Sequence, residues 1–285
     1  MRSDPAHFAL IAPPSLEAAL DLLATEPGAY IPIAGGTEIM VALNTGRLPQ
    51  RSLLSLHHLH ELRFVDITDA AITLGSGTTF TDLRRHPIVN AGLPLLALAA
   101  SWTGSIANQN RGTIGGNIAN ASPAADSSPA LLAYDASVTL ISANGRRSVP
   151  YRDFHLGYKQ TALQPGELVH SLTLKHDWDG WNQYIRKVGT RKAQAISKVA
   201  LAGVARIADG VVEEIRIGAA SLADRPIRCF AAEQALLHRP LSDGTIASAC
   251  AALLSEAKPI DDIRSTAKYR AAVVANLLEE FLRQL

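Results

Sequence analysis

Residues 111–126 read Arg-Gly-Thr-Ile-Gly-Gly-Asn-Ile-Ala-Asn-Ala-Ser-Pro-Ala-Ala-Asp, and no other stretch limits the possible folds as much. Small and hydroxyl residues surround a Gly-Gly pair, with too few bulky apolar side chains for a core strand or an amphipathic helix. The pattern predicts a loop whose backbone lies close to something else, because glycine has no Cβ and reaches positive φ at little cost. Successive backbone N–H groups in such a loop form a concavity suited to phosphate oxygens. Asn117 and Asn120 add neutral donors, and Asp126 offers a carboxylate to a sugar hydroxyl. Taken alone, one Gly-Gly pair reads more readily as a surface turn. A second pair shifts the balance. Residues 30–34 form a short apolar run, read as a buried strand, that stops at Gly35-Gly36-Thr37-Glu38. A strand running into a glycine-rich turn aims N–H groups at phosphates, so the two pairs predict one diphosphate held between them. Neither pair belongs to a G-x-G-x-x-G fingerprint or to a phosphate loop ending in Gly-Lys-Ser/Thr.

Several function classes fall away. With 27 basic and 26 acidic residues the net charge is +1, which leaves no electrostatic footprint for nucleic acid or an anionic membrane. No apolar run approaches the roughly 18 residues of a membrane span. Met1 is followed by Arg2, Ser3 and Asp4 rather than an apolar signal segment, so the cytoplasm is the expected location. The two cysteines, Cys229 and Cys250, are too few for a disulfide framework or a four-thiolate cluster. His57, His58 and His60 crowd beside a strand without carboxylate or thiolate partners in any motif. They read as exposed or partly packed imidazoles rather than metal ligands. No G-x-S-x-G elbow or other nucleophile constellation is present, so no catalytic side chain and no metal ligand is predicted.

Periodicity predicts an α+β chain. Residues 8–11 read as a strand, and Ser15 as the cap of a helix with Leu16, Leu20 and Leu23 on one face. With the strand at 30–34 this makes a β-α-β opening, followed by a loop at 44–50 and a strand at 53–56. Residues 64–67 and 71–75 form a hairpin, Thr79 or Thr81 caps a helix over 78–86, and 93–100 is an apolar helix leading to Trp102. Strands at 134–142 and 146–149 flank Asn144-Gly145, a type I′ turn signal. Leu168 and Val169 read as ordinary strand core. The charged, Trp-containing run 175–181 marks a connection, with a domain boundary near residue 177. Beyond it come strands at 184–188, 196–207 and 211–217, the last two joined at Asp209-Gly210. Helices follow at 230–237, 245–254 and 266–282, the last with Tyr269, Val273, Leu277 and Phe281 on one stripe.

Ala34-Gly35-Gly36-Thr37-Glu38 and Thr113-Ile114-Gly115-Gly116-Asn117-Ile118, extended by Asn110-Arg111-Gly112 and by residues 121–126, resemble a known pattern. They are similar to the paired FAD loops of the FAD-binding medium subunit of molybdenum hydroxylases, the xanthine dehydrogenase and carbon monoxide dehydrogenase group. The resemblance runs through essentially the whole chain. It implies an FAD-binding module of the vanillyl-alcohol oxidase type over residues 1–177, in two subdomains (about 1–55 and 56–177). A C-terminal antiparallel sheet with helices would occupy 178–285. It also implies non-covalent FAD touched by Ile31, Pro32, Ile33, Ala34, Gly35, Gly36, Thr37 and Glu38 from the first loop. The second region would supply Gly104, Gly112, Thr113, Ile114, Gly115, Gly116, Asn117, Asn120, Ala125 and Asp126. Leu168 and Val169 would approach the flavin ring. Lys187, in a Tyr184-x-x-Lys187-x-x-x-Arg191 run that resembles the family's Tyr-x-Lys-x-x-x-Arg pattern, would place an ammonium near the flavin, favouring its more negative, reduced form. The chain departs from the family at Ala195, where many relatives carry Asp.

By the same resemblance, a large partner carries a molybdenum cofactor that oxidises an N-heterocycle or aldehyde. A small partner carries two [2Fe–2S] clusters, the assembly is a dimer of heterotrimers, and electrons leave this subunit for NAD or another acceptor. A self-contained FAD-dependent oxidoreductase with its own small substrate is the alternative, and it would need acid–base groups that no motif supplies. A flavin-free scaffolding subunit would not need the intact Gly-Gly segments.

Overall fold

The computed structural model describes residues 5–49 and 52–285; the features expected at residues 1–4 and at Gln50 lie outside them. The chain opens with β1 (Ala9–Ile11), α1 (Leu16–Thr25), β2 (Ile31–Ile33), α2 (Ile39–Asn44) and β3 (Ser52–Ser55). The Ser15 hydroxyl accepts the Ala18 N–H, and Leu16, Leu20 and Leu23 are buried, as their spacing predicts. The β-α-β unit is present in sequence, but β3 comes between its two strands, giving a parallel sheet ordered β1-β3-β2. Nor is β2 buried. It is an edge strand with Pro32 at its centre, exposed, and a proline has no N–H to offer a neighbouring strand.

The second sheet begins with the expected hairpin of β4 (Val65–Ile67) and β5 (Ala71–Gly75). Five short helices follow: α3 (Phe80–Arg85), α4 (Pro87–Gly92), α5 (Pro94–Trp102), α6 (Ile106–Arg111) and α7 (Ile114–Ala119). Thr79 caps α3 in a reciprocal capping box with Asp82. The stretch expected to be an irregular loop is therefore partly helical. Thr113 caps α7 by accepting the Gly116 N–H, and two apolar side chains, Ile114 and Ile118, suffice to bury one face of so short a helix. After α8 (Ser128–Ala133) come β6 (Ser137–Ser142), β7 (Gly145–Pro150), β8 (His155–Gly157), β9 (Gln160–Thr161) and β10 (Leu168–Lys175). The sheet is ordered β4-β5-β10-β6-β7. The β6–β7 turn is not type I′: Ser142 pairs with Gly145, the turn residues are Ala143 and Asn144, and only Gly145 has a positive φ, at +123°. The Ser142 hydroxyl accepts the Asn144 N–H and closes this turn locally.

The last third forms an antiparallel sheet of β11 (Asn182–Val188), β12 (Val199–Ala208), β13 (Val211–Ala220) and β14 (Ile227–Arg228), in that order. Asp209 and Gly210 have φ of +50° and +74°, as a type I′ turn demands. Ile196 lies outside β12 and is exposed. Three helices cover the sheet: α9 (Phe230–Leu236), α10 (Asp243–Glu256) and α11 (Ala267–Leu282). The inward stripe of α11 is Arg270, Val274, Leu277, Leu278 and Phe281, rotated from the expected one. Tyr269 is exposed, its ring lying under the Lys198 ammonium, because buried Arg270 takes the inward position and reaches Asp262 and the Lys198 carbonyl. Phe281 stacks on Tyr184 at 5.3 Å. The core packed on β5, β6 and β10 continues into the C-terminal sheet through Ile185, Ala202 and Val204.

This facing predicts unequal costs along α11. Phe281→Ala should lower the unfolding free energy by about 3–5 kcal/mol, the usual cost of emptying a buried phenylalanine site. Tyr269→Ala should cost less than about 1 kcal/mol, the size of an exposed cation–π contact. Denaturant unfolding of the two variants checks the assignment.

Candidate functional site

Where the first two sheets meet, two segments distant in sequence are stitched together by backbone, and a third closes on them. Phe80 N–H donates to the Gly112 carbonyl (3.1 Å), Ile114 N–H to Thr78 (3.0 Å) and Gly115 N–H to Ser76 (2.9 Å). At Gly115 a Cβ would stand 2.4 Å from the Ser76 Cβ. The first glycine segment closes on the same place. A Cβ on Gly35 would lie 1.9 Å from the Arg111 carbonyl oxygen, so the backbone contact exists only because residue 35 has no side chain. Gly36 turns the chain with φ +76°.

The seam encloses a cavity of about 530 Å³, within the range of small-molecule and cofactor sites. Of the residues expected at the site, Ile31, Pro32, Ala34, Gly35, Gly36, Thr37, Glu38, Gly112, Thr113, Gly115, Gly116, Asn117, Asn120, Leu168 and Val169 line it. The other six do not. Ile33 lies beneath Gly36, Gly104 packs on Asn108, and Ile114 and Ala125 are core. Asp126 and Lys187 are joined to each other, Nζ to Oδ2 at 2.5 Å, with both side chains 10% exposed. Sequence reasoning missed Ile39, Leu56, Leu62, Ser76, Gly77, Phe80, Thr103, Asn108, Ala119, Leu163 and Glu167. The Gly75-Ser76-Gly77 run was the available signal for the turn that carries Ser76 and Gly77.

The two glycine segments contribute differently. Among the described residues, no acceptor takes the backbone N–H of Gly35, Gly36, Thr37 or Glu38. A run of free N–H groups with one left-handed residue is a nest for anionic oxygens, and the segment lines the cavity. In the second segment Gly115 N–H is taken by Ser76, Gly116 N–H by the Thr113 hydroxyl and Asn117 N–H by the Thr113 carbonyl. That segment offers close approach and side chains rather than free N–H groups. Asn117 accepts the Ser127 hydroxyl at 2.6 Å, and Asn120 accepts the Lys159 ammonium at 2.6 Å.

On the far wall Arg147 donates to both oxygens of Glu167 at 2.6 and 2.7 Å and to the Ala162 carbonyl. The Arg147 guanidinium holds the Glu167 carboxyl below its usual range. This clamp fixes residues 162–167 ahead of Leu168 and Val169. Behind the cavity, Asp126 also accepts the Ser197 hydroxyl at 2.5 Å, and Lys187 donates to the Trp102 carbonyl at 3.1 Å. Burial pushes the Asp126 carboxyl up, and Lys187 and Ser197 pull it back. Ala195 is itself buried, so the polar network closes through Ser197 instead of position 195.

The glycines should be unequal under substitution. Gly35→Ala should destabilise the flavin-free chain by about 1–3 kcal/mol, since backbone must move to admit the methyl group. Gly116→Ala, whose Cβ would meet the Thr113 hydroxyl at 3.0 Å, should cost under about 1 kcal/mol. Thermal unfolding of both variants checks the difference.

Known proteins place this geometry. Residues 6–174 match the family model of the FAD binding domain in molybdopterin dehydrogenase, and residues 184–285 that of the CO dehydrogenase flavoprotein C-terminal domain. The chain is 31% identical over 274 residues to the xanthine dehydrogenase FAD-binding subunit of Escherichia coli O157:H7, covering 95% of this chain and 93% of that protein. It is 30% identical over 282 residues to the glyceraldehyde dehydrogenase medium chain of Sulfolobus acidocaldarius, covering 99% of each. A chain of carbon monoxide dehydrogenase from Hydrogenophaga pseudoflava superposes with a TM-score of 0.94 at 29% identity, over 99% of this chain and 98% of that one. With its glycine segments, cavity and C-terminal sheet accounted for along nearly its whole length, the chain belongs to the FAD-binding medium subunits of the molybdenum hydroxylases, the xanthine and carbon monoxide dehydrogenase family.

Proposed function

We propose that this chain is the FAD-carrying electron-transfer subunit of a molybdenum hydroxylase that oxidises an N-heterocycle or an aldehyde. The observation that carries the reading is the run of four unpartnered N–H groups, Gly35 to Glu38, on the wall of a cavity closed by the second glycine segment. These groups would take the diphosphate, while Leu168 and Val169 would pack against the flavin. Asp126 and Lys187 would act as a pair, supporting the wall from behind. When bound, FAD supplies the redox chemistry; the chain's residues bind it, orient it and exclude water.

Glu38 and Glu167 are the only titratable side chains among the described lining residues. Glu167 is engaged by Arg147, which makes it a poor base. A self-contained flavoenzyme would need a proton-transferring group in the cavity, and this lining favours an electron carrier. The names of the relatives speak of medium chains and FAD-binding subunits, which supports an assembly. In our reading a large partner holds the molybdenum cofactor and a small partner two [2Fe–2S] clusters, in a dimer of heterotrimers. Electrons reaching this subunit from the small partner leave to NAD or another acceptor. We divide the chain near residue 177, with the FAD-binding part in two subdomains that meet near residue 55. We also place the complex in the cytoplasm, whose reducing conditions suit the free thiols Cys229 and Cys250. No helix among the described residues is long and apolar enough to cross a membrane.

Two linked measurements test this. Acid precipitation of the purified chain should release FAD, identified by mass, into the supernatant. The isolated FAD-loaded chain should turn over neither aldehydes nor N-heterocycles, whereas the complex purified with its partners should lose flavin absorbance when substrate is added without acceptor. Turnover by the isolated chain would replace this reading with the self-contained enzyme.

A further inference from the structure

A diphosphate dianion is best received by cations, yet the charged side chains on the described cavity wall are the carboxylates of Glu38 and Glu167. Glu167 is neutralised by Arg147. Glu38 has a different partner. The strands β8 and β9 form a small hairpin, with Lys159 at its tip at φ +57°. That left-handed conformation is unfavourable for a residue with a Cβ, and glycine or asparagine would occupy it more cheaply. A lysine there is explained by what its side chain reaches. The ammonium donates to Asn120 Oδ1 at 2.6 Å and stands 3.5 Å from Glu38 Oε1. Asn120 follows the second glycine segment and Glu38 ends the first, so one cation spans both. Arg111, the other nearby cation, instead directs its guanidinium to His57 at 3.2 Å.

We propose that Lys159 is the counter-charge of the diphosphate subsite, offsetting Glu38 and tying the two glycine segments together so that a dianion can settle beside a carboxylate. The inference rests on the FAD reading above and adds a residue from outside the cavity wall. Because the ammonium is partly exposed, with 38% of its side chain accessible, its effect falls with ionic strength. It acts on phosphate charge and not on the flavin ring.

The test titrates flavin-free chain with FAD and with riboflavin, which has no phosphate, following flavin fluorescence in dilute and in concentrated salt. Lys159→Met is expected to weaken FAD binding about 10-fold in dilute buffer, the scale of one charge pair near a protein surface. The deficit should shrink in concentrated salt, and riboflavin should bind the variant and the wild type alike. Lys159→Arg should restore FAD affinity, and Glu38→Gln should bind FAD more tightly than wild type. Equal losses for FAD and riboflavin would make Lys159 a merely structural hairpin residue and overturn the proposal. Unchanged FAD affinity in Lys159→Met would overturn it too. A wild-type chain that takes up no FAD would instead overturn the FAD reading, which keeps the two failures distinct.

Discussion

The contact on which the rest depends is backbone against backbone, Gly35 on the carbonyl of Arg111. A side chain at residue 35 would hold the first glycine segment away from the second, and the cavity would open along its length. The same logic repeats one layer down, where Gly115 lies on Ser76 and the turn before α3 bonds to residues 112–115. Three stretches that are far apart in sequence thus share one seam. The division of labour follows from this construction. The second segment has its N–H groups committed to holding the seam, and the first keeps its own free for a ligand. A site made of backbone is rigid without large side chains, which explains why residues 111–126 carry so few of them.

The C-terminal sheet is tied to the signature stretch without lining the cavity. Asp126, at the end of the signature stretch, is held by Lys187 on β11 and by Ser197 just before β12. Lys187 in turn reaches the end of α5 at Trp102. A little farther on, Ser221 donates its backbone N–H to the Pro123 carbonyl and its hydroxyl to the Ser197 carbonyl. Removing one partner of a buried pair leaves an uncompensated charge, which costs about 3–5 kcal/mol, and this pair joins the signature stretch to the C-terminal sheet. The pairing also bears on the field that Lys187 presents. An ammonium bound to a carboxylate 2.5 Å away presents much less field to a neighbouring ring than a lone cation would.

What the sequence made legible was local. The Ser15 and Thr79 caps, the Asp209-Gly210 turn and both glycine segments follow from residue chemistry at fixed short spacing, and the structure has them. Two readings, of α7 and of the α11 face, failed where distant packing decides. The helix α7 forms from a glycine pair because its cap and Ser76 support it, neither of which is visible in an apolar count. The inward face of α11 turned on Arg270, whose partners Asp262 and Lys198 belong to other elements. Asp126 and Lys187 each read as a group facing a cofactor, and the fold adds a mutual ion pair that their separation in sequence hides. The wall residues Leu56, Leu62 and Phe80 were hidden for a related reason. Apolar side chains lining a cavity carry the same pattern as apolar side chains filling a core.

The central claim is that Gly35 to Glu38 present free N–H groups to a diphosphate while residues 114–117 are already bonded within the protein. Amide hydrogen exchange of the chain with and without FAD, resolved by residue, tests it most directly. The N–H groups of Gly35, Gly36, Thr37 and Glu38 should exchange quickly in the flavin-free chain and slow sharply when FAD is added, while those of Ile114 to Asn117 are slow throughout. If residues 35–38 exchange equally fast with and without FAD, or if protection appears on adding FAD only at 114–117, the assignment of the two glycine segments is wrong.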